Sequence, residues 1–119
     1  MKSYTNLEQS KTLAEILPIE SADMYYFLDP TPAGNIYHIV TPQIDFGVKT
    51  REPEYDEGDI PAWSLAALLD VLPKGKVLID DVHSNKYKVI GYNLDTDYYD
   101  EPLDACVAMI EKLHEQKLL

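Results

Sequence analysis

The residues best suited to chemistry are few and scattered. Asp80-Asp81-x-His83 places two carboxylates and an imidazole within four positions, a donor set that can hold a divalent ion. No second cluster supplies the remaining ligands, and aspartates also cap turns, so a turn with an exposed His83 is the stronger reading. Asp95-x-Asp97-x-x-Asp100-Glu101 has some of the rhythm of a calcium loop. It lacks the glycine at the sixth position and has Tyr99 where a ligand belongs, so turn and N-cap chemistry accounts for it better. His38, between Tyr37 and Ile39, can serve as a general base only beside a carboxylate; an exposed or hydrogen-bonded structural histidine is the commoner outcome. His114 falls on a helical repeat and is expected to border the core. Cys106 is the sole cysteine and lies on an apolar helical face, which predicts a buried, inert thiol and not a nucleophile. Ser64 has nothing like G-x-S-x-G around it and reads as a helix cap.

These residues need elements to position them, and the chain supplies a clear alternation. Thr5 and Glu8 have capping-box spacing, and Leu7, Leu13, Ala14, Ile16 and Leu17 follow at helical steps until Pro18. Met24–Leu28 and Ile36–Val40 are short, aromatic and β-branched, and the turn residues between them predict an antiparallel hairpin. Thr41–Asp59 holds Pro42, Gly47, Pro53 and Gly58 among mixed charges and reads as a long acidic loop, with at most a short strand at Ile44–Val48. Ile60–Leu72 predicts a second helix, opened by Pro61 or by Ser64, with Leu65, Leu68, Leu69 and Leu72 facing a central core. Val77–Ile79 and Tyr87–Leu94 read as strands, and Asp97–Tyr99 as a short strand or a turn. The last helix begins near Asp100, Glu101 and Pro102, and carries Leu103, Cys106, Val107, Ile110 and Leu113 at three- and four-residue steps.

The expected fold class is therefore α+β, in the order α-β-β-α-β-β-(β)-α. It would be one antiparallel sheet of four or five strands with three helices mainly on one face. One domain spanning 1–119 fits the length, which is enough to bury a core without disulfides or metal. The segments Leu13–Pro18 and Leu68–Pro73 echo one another. Two helices ended by the same physics explain this more simply than a duplication.

Three stretches are similar to known sequences. Asn6–Lys11 through Leu13–Pro18 to Met24-Tyr25-Tyr26, Pro61–Leu69 through Val71-Leu72-Pro73, and Asp104–Val107 through Met109–Glu115 to Leu118-Leu119 together cover about half of the chain. They resemble a group of small uncharacterised proteins of gut Bacteroidales, often encoded near prophage or conjugative-element genes. The resemblance implies a bacterial and mobile-element origin. It transfers no activity and no site residues, because the matching segments are packing and capping segments.

Charge narrows the function classes. The chain carries 21 carboxylates against 10 lysines and arginines, a net charge of −11, which repels nucleic-acid phosphates and anionic membranes. Five carboxylates lie in Glu52–Asp59 and five in Asp95–Asp104. The single cysteine excludes an internal disulfide and suits a reducing compartment, so a cytoplasmic location is expected. No Gly-rich phosphate loop and no apolar run of membrane-spanning length is present, and no cofactor is implied. The leading expectation is a non-enzymatic protein-interaction module, whose best candidate partner surface is Trp63 with the preceding acidic residues Glu54, Tyr55, Asp56 and Glu57, although a core-facing tryptophan is the commoner outcome. The alternatives are an acidic mimic of nucleic acid that inhibits a DNA-binding protein, and a small metal-binding domain or enzyme built on Asp80, Asp81 and His83. Composition does not set an oligomeric state.

Overall fold

The computed structural model describes residues 2–40, 43–45, 48–51, 58–73, 77–81, 85–91 and 94–119, with the backbone alone in 43–45, 48–51 and 77–81. The class is α+β. Helix α1 (Leu7–Ala14) and a 3-10 turn (Ile19–Ser21) lead into β1 (Met24–Thr31) and β2 (Gly34–Val40). The short strands β3 (Gln43–Asp45), β4 (Val48–Arg51) and β5 (Ile60–Ala62) follow, then α2 (Leu65–Val71). Strands β6 (Val77–Asp81), β7 (Lys86–Gly91) and β8 (Leu94–Asp95) precede α3 (Pro102–Glu115).

The strands do not merge into the expected single sheet. They form three antiparallel groups, ordered β2-β1-β5, β3-β4 and β6-β7-β8. The division arises at β5. Ile60–Ala62, expected to open the second helix, instead pairs with β1, with Met24 opposite Ala62 and Tyr26 opposite Ile60. Pro61 lacks an N–H, and an edge strand is the place in a sheet that tolerates it. With β2 on one side of β1 and β5 on the other, β1 has no free edge for the later strands. The residues expected to be loop from Thr41 to Asp59 contain the β3–β4 hairpin, with Asp45 opposite Val48.

Helix α1 starts one residue later than the Thr5/Glu8 spacing suggests. Asn6 is the N-cap, its side chain accepting from Gln9 N at 2.8 Å while Gln9 Oε1 accepts from Asn6 N at 3.0 Å. The Thr5 hydroxyl is committed elsewhere. It accepts from Trp63 N at 3.1 Å and shares a hydrogen bond with Ser10 Oγ at 2.7 Å, all in the interior. Thr5 N donates to Trp63 O at 2.9 Å, and Trp63 Nε1 donates to Ser21 Oγ at 2.9 Å. Next to it, Ser64 caps α2 by accepting from Ala67 N at 3.1 Å, and donates its own N and Oγ to the Asp23 carboxylate. Six segments thus meet around Trp63: the N-terminal residues before α1, α1 itself, the 3-10 turn, the start of β1, β5 and α2.

Helix α3 carries the widest buried face: Leu103, Ala105, Cys106, Met109, Ile110 and Leu113 are fully buried. It packs on β7 and β6 and touches α1 and α2. Val89, the buried residue of β7, faces this core. Asp100 does not cap α3: it lies one residue before the N-cap, Glu101, which makes no side-chain bond, and its carboxylate accepts from Lys86 Nζ at 2.8 Å; Pro102 takes the first helical position. At the other end Lys117 adopts φ 58, where glycine is usual, and Leu118 N reaches back to Leu113 O at 2.8 Å. Helix α2 is less central than expected. Leu68 and Leu72 are buried, but Leu69 is 43% exposed, since a helix of seven residues turns only one narrow stripe inward.

Replacing Trp63 tests the junction. Trp63→Ala is expected to cost about 3–5 kcal/mol in denaturant unfolding. Trp63→Phe, which keeps most of the ring but removes the donor to Ser21, is expected to cost about 1–2 kcal/mol. Wild-type stability in Trp63→Phe would show that the indole hydrogen bond contributes nothing separable.

Candidate functional site

Asp80 and Asp81 end β6, opposite Tyr87 and Lys86 in the backbone register, and their side chains lie outside the described residues, as does all of His83. Glu54, Tyr55, Asp56 and Glu57 also lie outside the described residues. Among the described residues no group of three or more His, Cys, Asp or Glu is arranged to hold a metal ion.

Trp63, named with the acidic loop as a candidate partner surface, takes instead the core-facing place that is commoner for a tryptophan. It is fully buried, so it anchors the interior and is not exposed to a partner. Its partners Thr5 and Ser21 lie 58 and 42 residues away in the chain, where no local sequence signal points.

Cys106 is fully buried on α3. Burial disfavours the thiolate and pushes the thiol from its ordinary 9.0 up to about 11. Ser64 Oγ is committed to Asp23 and to the helix cap. His114, expected at the core boundary, is exposed, and its Nδ1 lies 3.3 Å from Leu119 O. It lines an open cleft of about 280 Å³ with Thr12, Glu15, Ile16, Glu111 and Glu115. A second open cleft, about 410 Å³, is lined by Lys2, Ser3, Tyr4, Asn6 and Tyr26. There the Tyr26 hydroxyl donates to Thr5 O at 2.7 Å, and burial, with Tyr4 nearby, raises its pKa. The hydroxyl is thereby held as a structural donor.

The acidic stretch Asp95–Asp104 is largely matched by lysine. Lys86 Nζ meets Asp100 at 2.8 Å, Lys2 Nζ meets Asp104 at 2.8 Å, Lys88 Nζ stands 3.9 Å from Asp95, and Lys2 N donates to Glu101 at 2.8 Å. A row of bare carboxylates spaced like phosphates needs the opposite arrangement.

What remains open is the β1–β2 hairpin. Its turn follows from Thr31-Pro32-Ala33-Gly34: Gly34 adopts φ +132, and Thr31 Oγ1 donates to Gly34 O at 2.5 Å. The register pairs Tyr25 with Val40, Phe27 with His38 and Asp29 with Ile36, so these six side chains share one face. On the opposite face Gly58 closes on Leu28, where an added Cβ would sit 3.1 Å from Leu28 Cδ2. The first face is open: Phe27 is 40% and Ile36 47% exposed. Across it His38 Nε2 and Asp29 Oδ2, diagonal neighbours, lie 3.3 Å apart. Both side chains are about half exposed, so the pair adds little stability. Strand β2 ends its sheet, with no further strand beyond it among the described residues. Both strands are legible in the sequence; the open edge shows there only as the absence of charge from Gly34 to Val40.

Comparison of the chain with protein-family models, with curated proteins and with solved structures finds no match in any of the three.

The thiol provides a pH-dependent check. The folded state favours neutral Cys106, so its contribution to stability is complete below pH 9.0 and is lost as pH rises toward about 11. Unfolding free energy is expected to fall across that window in the native chain and to fall less in Cys106→Ala. At pH 8 the native thiol is expected to react with a disulfide reagent no faster than the protein unfolds; immediate labelling would contradict its burial.

Proposed function

We propose that the protein is a non-enzymatic interaction module that engages a protein partner through strand β2, by adding a strand to the β2-β1-β5 sheet. One observation carries this reading: β2 is a seven-residue edge strand with no charged side chain and no proline, in a chain of net charge −11. Sheet edges left without lysine, proline or a bulge are templates for pairing, and partners use them through main-chain hydrogen bonds. Phe27 and Ile36 beside that edge supply the apolar contact that selects a partner strand. The two residues weighed as nucleophiles point the same way, since Cys106 is withdrawn into the core and Ser64 is tied to Asp23. No helix among the described residues is long and apolar enough to cross a membrane.

Affinity capture from the native cell tests the proposal. The wild-type protein is expected to retain a specific protein, itself included, and Ile36→Lys is expected to reduce that retention by about tenfold or more, about 1.4 kcal/mol in binding. A variant that captures the same proteins as wild type would refute the assignment of the edge. Capture of none by either form, together with turnover of a small molecule, would refute the module reading altogether.

A further inference from the structure

Resting on the interaction-module reading, we infer that the strand added to β2 is an extended segment of another protein that carries lysine or arginine among apolar residues. Charge complementarity selects this occupant. Residues 12–48 hold Glu15, Glu20, Asp23, Asp29 and Asp45 and not one lysine or arginine. Among the described residues the lysine ion pairs, those of Lys2, Lys86 and Lys88, all stand around Asp95–Asp104. Asp29 on β1 is half exposed and meets a histidine in place of a lysine or arginine. The hairpin therefore keeps a negative field that the start of α3 has largely neutralised. A second copy of net charge −11 brings the same field and is repelled, as is an anionic membrane or a nucleic acid. A cationic segment is drawn in.

Strand geometry places the contacts. The side chains of an added strand alternate between the two faces of the sheet. On the open face they would lie beside Ile36, His38 and Val40 of β2, with Tyr25, Phe27 and Asp29 of β1 one strand further in. Asp29 is paired with Ile36, so it stands about 10 Å, two strand spacings, from an added residue opposite Ile36. The stem of a lysine or arginine there packs along the exposed Ile36 and carries its charged head toward Asp29. Apolar residues of the segment cover Ile36 and Phe27. The other edges are blocked: β5 has three residues and Pro61, β8 has two, and β6 ends in Asp80-Asp81. Strands β3 and β4 carry Asp45, Lys49 and Arg51. Seven residues of edge make a contact well below standard interface size, so one segment binds weakly, on the order of 100 µM.

Amide NMR of the purified full chain, titrated with synthetic peptides, tests the inference. The probe is a short peptide of valine, threonine and lysine, compared with the same peptide bearing glutamate for lysine and with one bearing proline at alternate positions. The lysine peptide is expected to bind, to shift the amides of Gly34–Val40, and to weaken about tenfold between roughly 50 and 300 mM salt. The glutamate peptide is expected not to bind, and the proline peptide, which keeps its charge but lacks N–H donors, to bind at least tenfold more weakly. Ile36→Lys and Asp29→Asn, both at exposed or half-exposed positions, are expected to weaken the lysine peptide by about tenfold and severalfold at the wild-type melting temperature. Leu69→Lys, the same change of charge at an exposed site on α2, is expected to bind it as the wild type does. Should Ile36→Lys misfold, Asp29→Asn carries the comparison. Binding that survives proline, that Leu69→Lys weakens as much as Ile36→Lys, or that shifts Asp95–Asp104 in place of Gly34–Val40 is general attraction of cations to acid and overturns the inference. Equal binding of the glutamate peptide, no binding of either, or a chain that dimerises through β2 also overturns it. The module reading then survives if capture still returns a protein that Ile36→Lys releases, and fails with the inference if capture returns none.

Discussion

Burying Trp63 constrains the rest of the structure. An indole that is fully enclosed gains a large apolar contact, but its ring N–H and its backbone N–H and C=O must then find partners away from water. Ser21 Oγ and the Thr5 hydroxyl and amide supply those partners. Each supplier fixes a segment: Thr5 holds the N-terminal residues beside Trp63, Ser10 ties α1 to Thr5, and Ser21 holds the 3-10 turn. One position later Ser64 and Asp23 fasten the start of α2 to the start of β1. An unsatisfied buried donor costs about 1–3 kcal/mol, so these segments cannot shift independently of one another.

The placement of the sheets follows from this junction. With Ala62 drawn against β1 and Ser64 set as a cap, the chain has two residues in which to change from strand to helix. Strand β1 is then paired on both sides, and the later strands form their own sheet beneath α3. That helix bridges the two halves through its broad apolar face. Leu13 in α1 with Leu17 beyond its end, and Leu68 in α2 with Leu72 beyond its end, are buried alike, so the short echo between the two segments corresponds to equivalent packing positions.

Charge divides the surface in a complementary way. Lysines 2, 86 and 88 are spent on the carboxylates of Asp95–Asp104, near the start of α3. That leaves the hairpin face with one mixed pair, His38 and Asp29, among aromatic and aliphatic side chains. The molecule therefore presents a solvated, internally matched acidic region in one place and an uncharged sheet edge in another. The edge is the feature whose physics asks for a partner.

Local physics determined several features from sequence alone. The heptad-like run from Leu103 to Leu113 specified α3 and the burial of Cys106, because helical spacing makes a stripe wherever that helix lies. The aromatic strands around Pro32 and Gly34 specified the β1–β2 hairpin, since turn chemistry acts over four residues. Three helices and antiparallel pairing followed in the same way. Tertiary structure decided the rest. Thr5 and Asn6 both head capping-box spacings, and Asn6 caps α1 because a distant tryptophan amide occupies the Thr5 hydroxyl. Ile60–Ala62 is a strand because β1 offers it an edge, and Asp100 faces Lys86 of β7 while Glu101 takes the cap position. The burial of Trp63, the division of the strands into separate sheets and the exposure of β2 depend on groups that are remote in the chain and adjacent only in the folded protein. Residue spacing carries no record of such neighbours.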